Sequence, residues 1–117
     1  IVSPIPKKGS EMADQDKISL YKSGMGKYAQ QDFTGALEDF TNALEIDPEF
    51  ADVHQSMAHC HEQLGDFDAA LACAQRAVEL NPDDFLAHTS LSIFYQRKGM
   101  VPEAEREKGI AAQLQSP

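Results

Sequence analysis

The chain has 117 residues, 42% of them hydrophobic, with 19 acidic and 10 basic side chains and a formal net charge of −9. That length suits one domain, and the apolar fraction is enough to build a core. The acid excess argues against nucleic acid or an anionic membrane surface as partner, since both need clustered Lys and Arg. No apolar run nears the roughly 18–20 residues of a membrane span.

Residues 1–13 open the chain with two prolines, a glycine and two lysines, a composition that predicts an extended, flexible tail or linker. Residues 1–12 carry a net charge of +1 and leave −10 for the remainder, so the tail is a candidate for binding in a groove of its own chain or a neighbour's. Ser3–Pro6, followed by lysines, resembles the short motif read by microtubule end-binding proteins, although a plain linker is the favoured reading. No signal-peptide pattern opens the chain. Two cysteines, Cys60 and Cys73, are too few for a disulfide framework and read as free, buried thiols. A cytoplasmic location is expected.

Beyond the tail the chain repeats. FTGALEDFTNALEIDP, Phe33 to Pro48, aligns without gaps to FDAALACAQRAVELNP, Phe67 to Pro82, at an offset of 34 residues. Val101 to Ser116 is a weaker third copy in the same register. Columns of small residues run through the copies: Ala36, Ala70 and Ala104; Ala43, Ala77 and Ala111; Gly24, Ala58 and Ser92. Apolar and small residues three and four apart, as in Ala36, Phe40, Ala43 and Leu44, predict helices with one buried stripe. Turns are expected at Gln31-Asp32, Gly65-Asp66 and Gly99-Met100. Asp47-Pro48 and Asn81-Pro82 end the second helices, because proline disfavours helical geometry in the residue before it. Pro102 suits the first turn of the last helix instead.

With these residues in place, the chain resembles the tetratricopeptide repeat family. The matching positions are Leu20, Gly24, Phe33, Ala36, Phe40, Ala43 and Pro48 in the first copy. Met57, Ala58, His61, Gly65, Phe67, Ala70, Ala77 and Pro82 carry it in the second, and Leu91, Tyr95, Gly99, Ala104 and Ala111 in the third. The resemblance implies an all-α fold, a right-handed superhelix (α-solenoid) of three helix-turn-helix repeats at residues 17–50, 51–84 and 85–117 within a domain of residues 14–117. His54 and His88 depart from the family's preferred large aromatic, and Ala74 and Lys108 from the aromatic seen as Phe40. A charged last helix, with Glu103, Glu105, Arg106, Glu107 and Lys108, reads either as a self-capping end or as the edge of a longer array.

The family's usual work is holding partner proteins on a concave face lined by the first helix of each repeat. Carried onto this chain, that face includes Tyr21, Lys22, Met25 and Tyr28, then Asp52, Gln55, His59 and Glu62, then Ile93 and Arg97. The resemblance thus implies a protein or peptide partner, basic or neutral because of Asp52 and Glu62. One subfamily captures a terminal carboxylate through lysines, asparagines and an arginine. Those places hold Tyr21, Met25, Ser56, Leu86 and Ser90 here, so no such clamp is expected. The alternative is a structural element that self-associates through its terminal helices.

Val53 to Glu62, VHQSMAHCHE, raises the question of a metal. His54 and His61 are seven residues apart, about 10 Å along a helix, which is too far for two ligands each about 2 Å from one ion. His59 turns about 140° from His54 and joins the groove face instead. No metal or other cofactor is expected. Nor is an enzyme, because no nucleophile-base pair, serine elbow or phosphate-cradling glycine loop is present.

Overall fold

The computed structural model describes residues 5–116, with side chains from residue 14 onward. Among the described residues there are six helices and no strands. In chain order they are α1 (Ile5–Ala29), α2 (Phe33–Ile46), α3 (Ala51–Gln63), α4 (Phe67–Leu80), α5 (Phe85–Arg97) and α6 (Val101–Gln115). The fold is an all-α helical repeat made of helix-turn-helix pairs. Two compact units divide it, Ile1–Phe50 with α1 and α2, and Ala51–Pro117 with α3 to α6.

The same capping chemistry recurs every 34 residues and explains where each helix stops. Gln31, Gly65 and Gly99 all take positive φ, at 66°, 81° and 77°. After each, a backbone N–H reaches back five residues: Asp32 to the Lys27 carbonyl, Asp66 to His61 and Met100 to Tyr95, at 2.8, 2.9 and 2.9 Å. This is the Schellman closure, which satisfies carbonyls that the helix end would leave orphaned. Asp32 and Asp66 then cap the next helix, their carboxylates accepting from the N–H groups of Gly35 and Ala69. Met100 has no side-chain cap, but Pro102 lies in the first turn of α6, where its missing N–H is harmless. As the proline positions predict, α2 and α4 close on Asp47 and Asn81, just before Pro48 and Pro82.

At the N-terminus the backbone is helical from Ile5, where the proline and glycine content predicted an extended segment. Pro6 falls in the first turn of that helix, where a missing backbone N–H costs nothing. Residues 1–4 lie outside the described residues, as do the side chains of residues 5–13. The expectations of a flexible tail, of its docking in a groove and of the short Ser3–Pro6 motif fall largely on those positions.

The small-residue columns are where helices touch. Ala36, Ala43, Ala70 and Ala104 are fully buried, and Ala77 and Ala111 nearly so. In the first unit, α1 packs on α2. A Cβ on Gly24 would lie 2.4 Å from Cε1 of Phe40, so only glycine admits that ring. In the second unit α3 packs on α4, α4 on α5 and α5 on α6. Its core joins Ala58, Ala70, Ala74, Leu91, Phe94, Tyr95 and Ala104. Ser92 occupies the column of Gly24 and Ala58, and its hydroxyl donates to the Ala104 carbonyl at 2.8 Å. The polar atom is therefore satisfied in a site built for a small side chain.

Polar links between α1 and α2 supplement that packing. Ser23 Oγ donates to Asp39 Oδ2 at 2.6 Å, and Lys27 Nζ lies 3.1 Å from the same oxygen. Near the other end of α2, Lys17 Nζ donates to Asp47 Oδ2 at 2.7 Å. The Ser23 hydrogen bond, aided by Lys27, holds the Asp39 carboxyl below its usual 3.8. Lys17 does the same for Asp47.

Two outcomes are expected. Gln31→Gly should raise stability by about 1 kcal/mol, because the left-handed backbone costs a non-glycine residue that much; equilibrium urea denaturation measures it. Both carboxyls are depressed in the folded state, so their contribution is complete above about pH 4 and is lost as pH falls through their lower folded values. Over about pH 2–6, Asp39→Asn should therefore flatten the acid limb of the stability profile.

Candidate functional site

The side chains expected to face a partner fall on α1, α3 and α5, the first helix of each pair. On α1, Lys22 and Met25 are exposed, and Ile18 continues the same strip. The two tyrosines are half-buried and committed to packing. Tyr21 tilts against Phe40 and Phe50, with ring centroids 6.2 and 5.3 Å apart. Tyr28 meets Phe33 edge-on at 5.2 Å. Lys17 Nζ sits 5.5 Å from the centre of the Phe50 ring, a cation–π contact beside its pairing with Asp47. Hence Tyr21 and Tyr28 form walls of the first unit, and the exposed strip beside them supplies its reachable surface.

In the second unit, His59 and Glu62, three residues apart on α3, meet Arg97 from the end of α5, 35 residues beyond Glu62. Arg97 Nε lies 3.1 Å from Glu62 Oε2, and its guanidinium carbon sits 5.5 Å from the centre of the Phe67 ring. His59 Nδ1 approaches Glu62 Oε1 at 3.5 Å, its Nε2 lies 3.5 Å from Ser90 Oγ, and its ring packs on Phe94 at 5.7 Å. Helices α3 and α5 and the start of α4 thus converge on one carboxylate. Glu62 is paired within the fold to Arg97 and His59, whereas Asp52 is an exposed acid of α3. Gln55 is half-buried on the same helix.

Along α5 the exposed residues are Leu86, Thr89, Ile93, Gln96 and Arg97, two of them large and apolar. Leu86 is 56% exposed and Ile93 42%, seven residues and about two turns apart. Ile93 borders a depression of about 160 Å³ with Thr89, Ser92, Gln96 and Lys108. Phe67 and Phe94, which hold Arg97 and His59, carried no sign of this role in the sequence. Phe67 counted as a packing position, and Phe94 had no periodic signal separating it from the core.

All three histidines of the Val53–Glu62 stretch are half-buried. Cys60 is buried, and His59 faces Glu62 and Ser90. Among the described residues, no three His, Cys, Asp or Glu side chains assemble into a group that could hold a metal ion. Cys60 and Cys73 are free thiols. Burial pushes Cys60 up to about 11 and raises Cys73 as well, which disfavours the thiolate at both. Cys73 is only partly buried, where the sequence predicted full burial. No helix among the described residues is long and apolar enough to cross a membrane.

Helix pairs of this length, joined at a fixed register and packed through alanine columns, define a helical-repeat protein. The tetratricopeptide repeat family model matches residues 27–92, more than half of the sequence, and the chain belongs to that family. Its fold is similar to the second tetratricopeptide domain of Spaghetti (RPAP3), solved with the HSP90 peptide SRMEEVD: TM-score 0.86, 18% identity, covering 92% of this chain and 99% of that one. The first domain of the same protein, also bound to that peptide, gives 0.83 at 20% identity over 86% of this chain and 80% of that one. MamA gives 0.81 at 18% identity over 85% and 58%. Among curated proteins, a Caenorhabditis elegans protein O-mannosyl-transferase is 36% identical over 69 residues, 59% of this chain. This chain spans a tenth of that protein's length.

A double-mutant cycle on Arg97→Met and Glu62→Gln should give a coupling of about 0.2–1 kcal/mol that shrinks with added salt, since Arg97 is half-exposed.

Proposed function

We propose that this chain is a protein-protein interaction module that holds a peptide or extended segment of a partner on its first-helix faces, without a terminal-carboxylate clamp. One observation carries the reading: Leu86 and Ile93 stand exposed on α5 beside an Arg97–Glu62–His59 cluster whose side chains are already fixed. Fixed polar groups next to open apolar surface lower the ordering cost of binding. The depression beside Ile93 has room for about one partner side chain.

Support for a peptide ligand comes from the two Spaghetti domains, which were solved with one. Support for the absence of a clamp comes from the residues at the clamp places. Ser56, Leu86 and Ser90 in the second unit, and Tyr21 and Met25 in the first, bring no cation to a carboxylate. With Glu62 paired within the fold, selection for a basic partner rests on Asp52 and the acidic body, and neutral, partly apolar segments fit the α5 face best. The similarity to a named mannosyl-transferase covers only a small part of that protein, and we read the shared segment as a binding element rather than a catalytic one.

A peptide-library screen against the full chain, followed by chemical-shift mapping, tests this. Shifts should concentrate on α3 and α5, His59→Ala and Ile93→Asp should each weaken binding by about tenfold, and amidating the peptide's C-terminus should leave affinity unchanged. Thr41→Ala, on the exposed side of α2, should have no effect. Selection only of peptides that need a free carboxylate would defeat the proposal. So would oligomers that grow with concentration and leave no first-helix surface open to ligand.

A further inference from the structure

His88 is buried on α5, with each ring nitrogen against a strong acceptor. Its Nδ1 lies 2.7 Å from Oε1 of Glu107 on α6, itself buried. Its Nε2 lies 2.7 Å from the carbonyl oxygen of Pro82, in the turn between α4 and α5. A neutral imidazole has one N–H and one lone pair. An ionised carboxylate and a carbonyl offer only lone pairs. Neutral His88 with ionised Glu107 would therefore set two lone pairs against each other at 2.7 Å. One further proton removes the conflict, whichever of the two side chains formally carries it.

We propose that the buried His88–Glu107 pair holds one more proton than the same residues hold when unfolded near neutral pH, forming a pH-sensitive latch that ties α6 and the α4–α5 turn to α5. Other charges around the pair do not replace that proton. Arg106 Nε is 3.9 Å from the other oxygen of Glu107, on the exposed side of α6. Glu103 is half-buried one turn earlier on α6 and adds no positive charge, and Lys108, the residue after Glu107, is exposed and borders the depression with Thr89 and Ser92. In the α4–α5 turn, the Asp84 carboxylate accepts from the Leu86 N–H, and Asp83 is exposed. On α4, Asp68 pairs with Lys98, and Arg76 with Glu79. Arg97, at the far end of α5, is engaged with Glu62.

The sign follows from proton counting. A folded state that binds an extra proton loses stability as pH rises. The loss begins above about pH 6.5, where a free histidine gives up its proton, and continues until the pair releases its own. In that window the folding equilibrium constant should fall by up to about tenfold per pH unit. Other histidines add their own pH dependence, so the informative quantity is a difference between variants.

Glu107→Gln provides it. The amide can donate to Nδ1 of a neutral His88, whose Nε2–H still donates to Pro82, so every hydrogen bond survives without the extra proton. Urea denaturation of the full chain from about pH 6 to 9 should show a steeper loss of stability in the wild type than in Glu107→Gln. Equal slopes would overturn the proposal. Independently of any variant, ring nitrogen and carboxyl carbon shifts of the native chain at about pH 7.5 should report a doubly protonated His88 or a protonated Glu107. A neutral imidazole beside an ionised carboxylate would overturn it.

Discussion

Close approach of helix backbones is the constraint on which the rest depends. Two helices that touch through Gly24, or through Ala36, Ala70 and Ala104, leave no space for a larger side chain at the contact. Added volume would force the pair apart, at a cost of about 1–3 kcal/mol. Aromatic rings then fill the hollows beside the small residues, as Phe40 does over Gly24 and Phe94 beside Ala58 and Ala74. In the second unit α5, a first helix, packs on both α4 and α6 and still leaves Leu86 and Ile93 exposed. The candidate site follows from that arrangement.

Fixed turn geometry keeps the pairs in step. A left-handed residue at 31, 65 and 99 closes the first helix, and the residue after it starts the second, so no loop of variable length intervenes. Arg97 and Glu62 can meet because their helices end at equivalent turns. Glu62 lies within two residues of the end of α3, and Arg97 closes α5. The start of α4 brings Phe67 beneath the guanidinium from the other side of the first of those turns.

Departures from the family's packing preferences have different consequences at different places. At the column of Leu20, an imidazole stands in both later pairs. His54 is half-buried, while His88 is buried between a carboxylate and a carbonyl. At the column of Phe40, Ala74 is buried in the second unit's core and Lys108 is exposed on α6. The same register position is thus core, small-residue contact or surface, depending on which helices cover it.

Much of this was legible in the residues alone. The 34-residue offset, the alanine columns and the Asp-Pro and Asn-Pro stops define six helices and their pairing, because periodicity and proline sterics are local properties of the chain. Helical phase likewise separates His59 from His54 and Cys60. The local pattern misjudged the segment from Ile5 onward, whose one proline, Pro6, falls in the first turn, where a helix tolerates it. Long-range partnerships came only with the tertiary structure. Tyr21 and Tyr28 look like free aromatic surface in the sequence, and the fold turns them onto Phe40, Phe50 and Phe33. Glu62 looks like an open acid and is paired with an arginine 35 residues away. His88 and Glu107 read as an oddity of packing and a surface charge, and their burial against each other appears only when α5 and α6 are docked. Charge and hydrogen-bond partners depend on which side chains share a dry space, and no spacing rule along one strip of sequence determines that.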